Sequence, residues 1–165
     1  MHCSSPMKRL CFLLIVLLVA ACTSSSGGSG TSQTVAQPGH GAITIQIVPN
    51  PVVAQRVSGE TYSFPFDVVV RETGGHPVMV NRVSAEVNAL GGIRVASESY
   101  DAASINQLGY STNVPANGEL RYHFAPQKSV GDDRLFNNVS AQLRVDATDD
   151  SGTPASATTT VTVTR

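Results

Sequence analysis

The chain has 165 residues, 11 Lys and Arg against 12 Asp and Glu, and a formal net charge of −1. There is no basic excess for non-specific nucleic-acid binding, and with no Trp and 5% aromatics the commonest stacking platforms are missing. All three cysteines, Cys3, Cys11 and Cys22, lie near the N-terminus, so residues 23–165 hold neither a disulfide nor a thiolate metal site.

Lys8-Arg9 precede an apolar run from Leu10 to Val19, and Ala20-Ala21 place small residues before Cys22. A basic start, an apolar stretch of about 7–15 residues and a small-residue cut make a secretory signal. Met7 offers a second, more compact start after Met1. The run is short for a membrane span, which takes about 20 residues. Val19-Ala20-Ala21-Cys22 resembles the lipobox of bacterial lipoproteins. The resemblance implies residues 1–21 as a cleaved signal, a diacylglycerol on the Cys22 thiol and an acyl chain on its new amino group. It implies a membrane as partner, through that lipid, and a place in the bacterial cell envelope. Thr23, where an aspartate would favour inner-membrane retention, leans toward the outer membrane in a Gram-negative cell. A plain secretory signal and an uncleaved anchor helix are the alternatives. Without residues 1–21, nine basic residues face twelve acidic ones, a net charge of −3.

Residues 22–41 form the next unit: the lipidated cysteine and a spacer rich in Ser, Gly and Thr. Little in it can be buried, so its ordering entropy is not offset and a disordered tether is expected. A Gly/Ser coil of that length spans roughly 25 Å. His40, between two glycines, reads as a solvated loop residue.

The remaining 42–165 are read in strands. Ile43, Ile45 and Ile47 alternate with Thr44 and Gln46 until Pro49-Asn50-Pro51 breaks the run. Tyr62, Phe64, Phe66, Val68 and Val70 alternate with Ser63, Pro65, Asp67 and Arg71, predicting one strand before Gly74-Gly75 turns the chain. Val78 and Val80, then Val83, Ala85 and Val87, switch parity, which predicts a bulge near Asn81-Arg82. Ile93 and Val95 read as a short strand. Asp101–Gln107 reads either as one helical turn capped by Asp101 or as a crossover strand. Leu120, Tyr122 and Phe124 alternate, then Val139, Ala141, Leu143, Val145 and Ala147, then Ala157, Thr159, Val161 and Val163. Period-two alternation marks strands with one buried and one wet face. About seven of them with turns between predict an all-β antiparallel sandwich.

Asn113-Val114-Pro115-Ala116-Asn117-Gly118-Glu119-Leu120 resembles the step into a strand of many bacterial immunoglobulin-like domains. The ending, from Arg144 through Asp149-Asp150-Ser151-Gly152 to Val161-Thr162-Val163, resembles their last hairpin. The resemblance implies an immunoglobulin-like β-sandwich in an extracytoplasmic setting, without catalytic residues. The Cys…Trp…Cys core of antibody domains is absent.

Candidate chemistry is sparse. No nucleophile elbow of the G-x-S-x-G type occurs, and His76 and His123 fall in a turn and on a polar strand face. Asp132-Asp133 and Asp149-Asp150 are loop carboxylates that suit either turn formation or, more weakly, calcium. Tyr100 and Tyr110 are the candidates for an exposed ligand surface. The terminal strand Val161-Thr162-Val163-Thr164 either pairs within the sandwich or offers an open edge. No cofactor beyond the acyl groups on Cys22 is expected. The reading that follows is a lipid-anchored envelope protein with a non-catalytic interaction or structural domain, meeting another envelope protein. The alternative is a glycan- or small-ligand-binding surface lipoprotein, and an enzyme ranks last.

Overall fold

The alternating segments become antiparallel strands in a computed structural model of the chain, which describes residues 32–33 and 35–165. Strands β1 (Ser32–Gln33), β2 (Ile43–Val48), β3 (Val52–Val53), β4 (Gln55–Ser58) and β5 (Thr61–Ser63) come first. Then follow β6 (Phe66–Glu72), β7 (Val78–Ala89), β8 (Ile93–Asp101), helix α1 (Ala102–Gln107) and β9 (Asn113–Val114). β10 (Glu119–Phe124), β11 (Gln127–Ser129), β12 (Val139–Asp149) and β13 (Pro154–Thr164) complete the chain. Seven strands have six residues or more: β2, β6, β7, β8, β10, β12 and β13.

These seven make a sandwich. One layer runs β10-β6-β2 and the other β8-β7-β12-β13. Numbering the long strands in chain order, the first, second and fifth form one sheet, and the fourth, third, sixth and seventh the other. That is the A-B-E and C′-C-F-G arrangement of an immunoglobulin-type sandwich. The inward parity read from the sequence is the buried one: Ile43, Ile45 and Ile47 face Leu143, Val145, Ala147, Val161 and Val163 across the core. Each fully buried valine or isoleucine side chain contributes about 1.5–3 kcal/mol.

The bulge is where the parity switch places it. Asp146 pairs with Arg82 and Ala147 with Val80, so Asn81 is the extra residue, and its amide donates to Thr148 Oγ1 at 2.6 Å. Asp101 caps α1, accepting from the Ser104 N–H at 2.8 Å, which decides for the helical turn over the crossover strand. The terminal strand pairs inside the sandwich along its length with β12. On its other side it meets β1 at Thr158 and Ala157 and, in parallel, β3 at Val163 and Thr164.

Two features of the layout differ from the sequence reading, besides single positions on the strands. The run from Tyr62 to Val70 is two strands, because Pro65 supplies no N–H and the chain breaks between Ser63 and Phe66. β5 joins β4 and β11 in a separate small sheet. The second difference lies in residues 22–41. Gln33 and Ser32 pair with β13, and Gly41 is buried, so the end of the expected spacer is tied to the domain.

Candidate ligand cleft

The sandwich is sealed at one end and open at the other. At the sealed end two buried carboxylates bind loop backbone. Glu72, closing β6, accepts from the N–H groups of Ala42 at 3.1 Å, Gly74 at 2.5 Å, Gly75 at 2.9 Å and Asn117 at 2.8 Å. Burial pushes its carboxyl up, but the four backbone donors outweigh that and hold it below the ordinary value. A side chain at Gly74 would run into the His40 carbonyl, so only glycine lets the turn close on Glu72.

Asp149, closing β12, accepts from Ser151 Oγ at 2.6 Å, the Thr153 N–H at 2.7 Å, the Gly41 N–H at 3.0 Å and His40 Nδ1 at 3.2 Å. The Ser151 hydroxyl leads these donors in holding the carboxyl well below the usual carboxylate range. Ser151 Oγ and Thr153 Oγ1 also lie 3.3 Å and 3.0 Å from His40 Nδ1, the same nitrogen that meets Asp149. One ring nitrogen facing both hydroxyls and carboxylate is a hairpin latch. A relay of the triad kind needs one nitrogen for each side. Both Glu72 and Asp149 sit on the inward parity of their strands, and that was the signal in the sequence: a carboxylate in the buried register.

The other end opens at Pro65 and Pro126. The register of β6 with β10 continues unchanged into β5 with β11, from Phe66 opposite Phe124 to Ser63 opposite Gln127. Only the ladder between them is thinned, with the Phe64 N–H donating to the Pro126 carbonyl at 3.0 Å. Facing this ribbon, β8 and the end of β7 form the other wall. Between the walls lies an apolar cleft of about 300 Å³. Phe64, Phe66 and Phe124 line one wall, and Ala85, Val87 and Tyr100 the other. Of these only Phe124 is fully buried, whereas Val68, Val70 and Tyr122 nearer the sealed end are closed off. Phe136 forms part of the lining and packs edge-on against Tyr62 with ring centres 5.0 Å apart.

Among the described lining residues the charged ones are Lys128 of β11 and Glu98 of β8, one on each wall, and they form an ion pair across the cleft. The Glu98 carboxylate raises the Lys128 ammonium above its ordinary value, by hydrogen bond and by charge. Val95 of the lining is 55% exposed, and Ile93 at the start of β8 and Leu90 in the β7–β8 connection carry the apolar surface on at 66% and 73%. Ile93 and Val95 do lie in a strand, but it runs on to Asp101, and its apolar start faces solvent.

The residues singled out from the sequence are distributed as follows. Tyr100 is half-buried in the cleft wall, with its ring centre 4.7 Å from that of Phe124. Tyr110 packs edge-on against Tyr122 and exchanges hydrogen bonds with the backbone of His123 through its hydroxyl, at 3.3 Å each. The two tyrosines therefore rest on different partners. Asp132 accepts from the Arg134 N–H at 2.9 Å at the start of the 3-10 turn Asp133–Asn138. Asp149 is occupied as the latch, and Asp150 stands 3.8 Å from His76. Among the described residues no cluster of three or more His, Cys, Asp or Glu is arranged to hold a metal ion. His123 is exposed and pairs with Asp67 at 2.8 Å. Val19, Ala20, Ala21, Cys22 and the whole signal segment lie outside the described residues.

No protein-family model matches the chain, and no curated protein does. Solved structures are similar in fold. The X-ray structure of a Northeast Structural Genomics Consortium target aligns with 78% of this chain and 90% of its own, at a TM-score of 0.51 and 9% identity. A Bordetella pertussis protein crystallised under the name ApaA aligns with 83% of this chain and 96% of its own, at a TM-score of 0.46 and 13% identity. The first of these supports the sandwich architecture and nothing about activity.

Proposed function

We propose that this chain is a lipid-anchored binding protein of the bacterial cell envelope. Its non-catalytic, immunoglobulin-like domain recognises a small apolar ligand in the cleft between its sheets. The observation that carries the binding reading is the cleft itself: an apolar space of about 300 Å³ with one pair of opposite charges across it. Ligand sites are characteristically concave, mostly apolar and marked by a few placed polar groups. The half-buried Phe64, Phe66 and Tyr100 are aromatic surface that a closed sandwich would have covered.

The anchor half of the proposal rests on Lys8-Arg9, the run Leu10–Val19 and Val19-Ala20-Ala21-Cys22. One acyl chain binds a bilayer reversibly, while two or more hold firmly. Replacing Cys22 by Ala is expected to move the protein from the membrane to the soluble fraction. A Cys22→Ala protein that still fractionates with membranes in lipidated form overturns the anchor. For the cleft, Ala85→Phe is expected to abolish binding of the dye anilinonaphthalene sulfonate while far-UV circular dichroism is retained. Unchanged dye binding in that variant overturns the cleft as the site.

A second reading, pairing with another envelope protein, is favoured by β8. Among the described residues no strand pairs with its outer edge, which is nine residues long. Such an edge accepts a partner strand. Ser97→Pro, at an exposed position of that strand, is expected to remove cross-links to an envelope partner under this reading and to leave ligand binding intact.

A further inference from the structure

We infer that the cleft takes a single-chain amphiphile, one unbranched hydrocarbon chain ending in a carboxylate, with the chain between the sheets and the carboxylate at Lys128. This inference rests on the cleft reading above and names the ligand class. Three observations lead to it. The space lies between two sheet faces, and such faces pack about 10 Å apart, so a guest has the thickness of one side-chain layer. A slim chain fits that slot, and a globular ring system does not. The volume, about 300 Å³, stands at the lower end of ligand pockets, which suits one chain and excludes a two-chain lipid.

The third observation is the charge at the rim. Lys128 and Glu98 are the charged residues in a lining that is otherwise apolar apart from Ser84 and Ser129. An ammonium carries three donors, and Glu98 takes one of them. A ligand carboxylate accepts from the others and competes with Glu98 for the same cation. Opposite effects of the two rim residues follow. Lys128→Gln weakens a fatty carboxylate, Glu98→Gln strengthens it, and neither changes the affinity of the corresponding alcohol. The rim is partly exposed, so each change amounts to about threefold. Blocking the slot acts more strongly, because Ala85→Phe or Ala96→Phe places a ring where the chain lies.

Leu90, Ile93 and Val95 continue from the lining into solvent. Their exposure presents an apolar lip, beside the exposed Arg94–Glu86 ion pair, over which a chain can pass. The chain arrives either from a bilayer or from free solution, and the two routes are separable. If the lip touches the bilayer, Leu90→Ser with Ile93→Ser slows uptake from phosphatidylcholine vesicles and leaves uptake from buffer unchanged. If the source is free solution, the double variant slows neither route.

The test is fluorescence titration of the full chain with dansyl-undecanoate, followed by displacement with dodecanoate and dodecanol. Saturable one-to-one binding is expected, lowered at least tenfold by Ala85→Phe. Should Ala85→Phe fail to fold, Ala96→Phe and the Lys128→Gln and Glu98→Gln pair give the same reading. If the dansyl probe does not bind while anilinonaphthalene sulfonate does, and Ala85→Phe removes the dye, the cleft stands and the chain assignment falls. If neither probe binds, both fall. Equal effects of the rim variants on dodecanoate and dodecanol overturn the assignment of the carboxylate to Lys128.

Discussion

The two ends of the sandwich are built from opposite materials. At one end Glu72 and Asp149 are buried carboxylates, each surrounded by at least four donors, and the segment leading into β2, the β6–β7 turn, the turn before β10 and the β12–β13 turn close over them. At the other end, phenylalanines and valines line a gap, and among the described lining residues the charged ones are a pair at its rim. Hydrogen bonds to an ionised group fix direction and distance, so a carboxylate collecting backbone N–H groups makes a loop cluster rigid. Apolar surface has no such directional demand and stays serviceable when left half-covered. The sandwich thus spends its polar order on one end and leaves its apolar surface available at the other.

The largest expected effect breaks the sealed end. Glu72→Ala leaves four backbone donors without their acceptor, the buried Ala42 N–H among them, and urea unfolding should show a loss of about 3 kcal/mol. The same end makes the protein acid-sensitive. Both carboxyls lie below their ordinary values of 4.5 and 3.8, so the stability they contribute is complete above those values. It is lost as pH falls through the lowered folded values. Unfolding midpoints measured from pH 7 down should hold steady to about pH 5 and then decline, and Glu72→Gln should flatten part of that decline.

A matched pair of valines measures the difference directly. Val70→Ala, with its side chain fully buried near the sealed end, should cost about 2 kcal/mol. Val87→Ala, partly buried in the cleft wall, should cost about 1 kcal/mol, since part of its surface already meets solvent. Equal losses would mean the cleft is as closed as the core. Ala85→Phe sharpens the point from the other direction. Overpacking a closed core costs about 1–3 kcal/mol, but a ring placed in the open cleft should leave stability unchanged or slightly raised. The smallest effect belongs to the rim. Lys128→Gln removes a half-exposed ion pair and should change stability by no more than about 0.5 kcal/mol.

Much of this was written in alternation. The inward residues of β2, β10, β12 and β13, the extra residue at Asn81 and the cap at Asp101 all follow from local pattern, because side-chain parity and capping are properties of a few neighbouring residues. The Asp149-Asp150-Ser151-Gly152 segment reads as a turn, and it is one: the Gly152 N–H donates to the Asp149 carbonyl at 3.0 Å. Pattern misled at Val69, which lies on the outward parity yet is buried, between its register partners Gln46 and Arg121. Long polar side chains can cover such a residue with their apolar stems.

What the sequence by itself determined is the course of the long strands, which face of β2, β10, β12 and β13 is apolar, and a domain free of disulfides. What only the tertiary structure decided is where those faces fail to meet. Pro65 and Pro126 are far apart in the chain and harmless singly, but β6 and β10 bring them side by side, and there the ladder thins and the cleft begins. Lys128 and Glu98 likewise become a pair only because β11 and β8 come from opposite walls. Parity is local and can be read residue by residue. The gap between two sheets depends on which distant strands end opposite each other, and no local pattern encodes that.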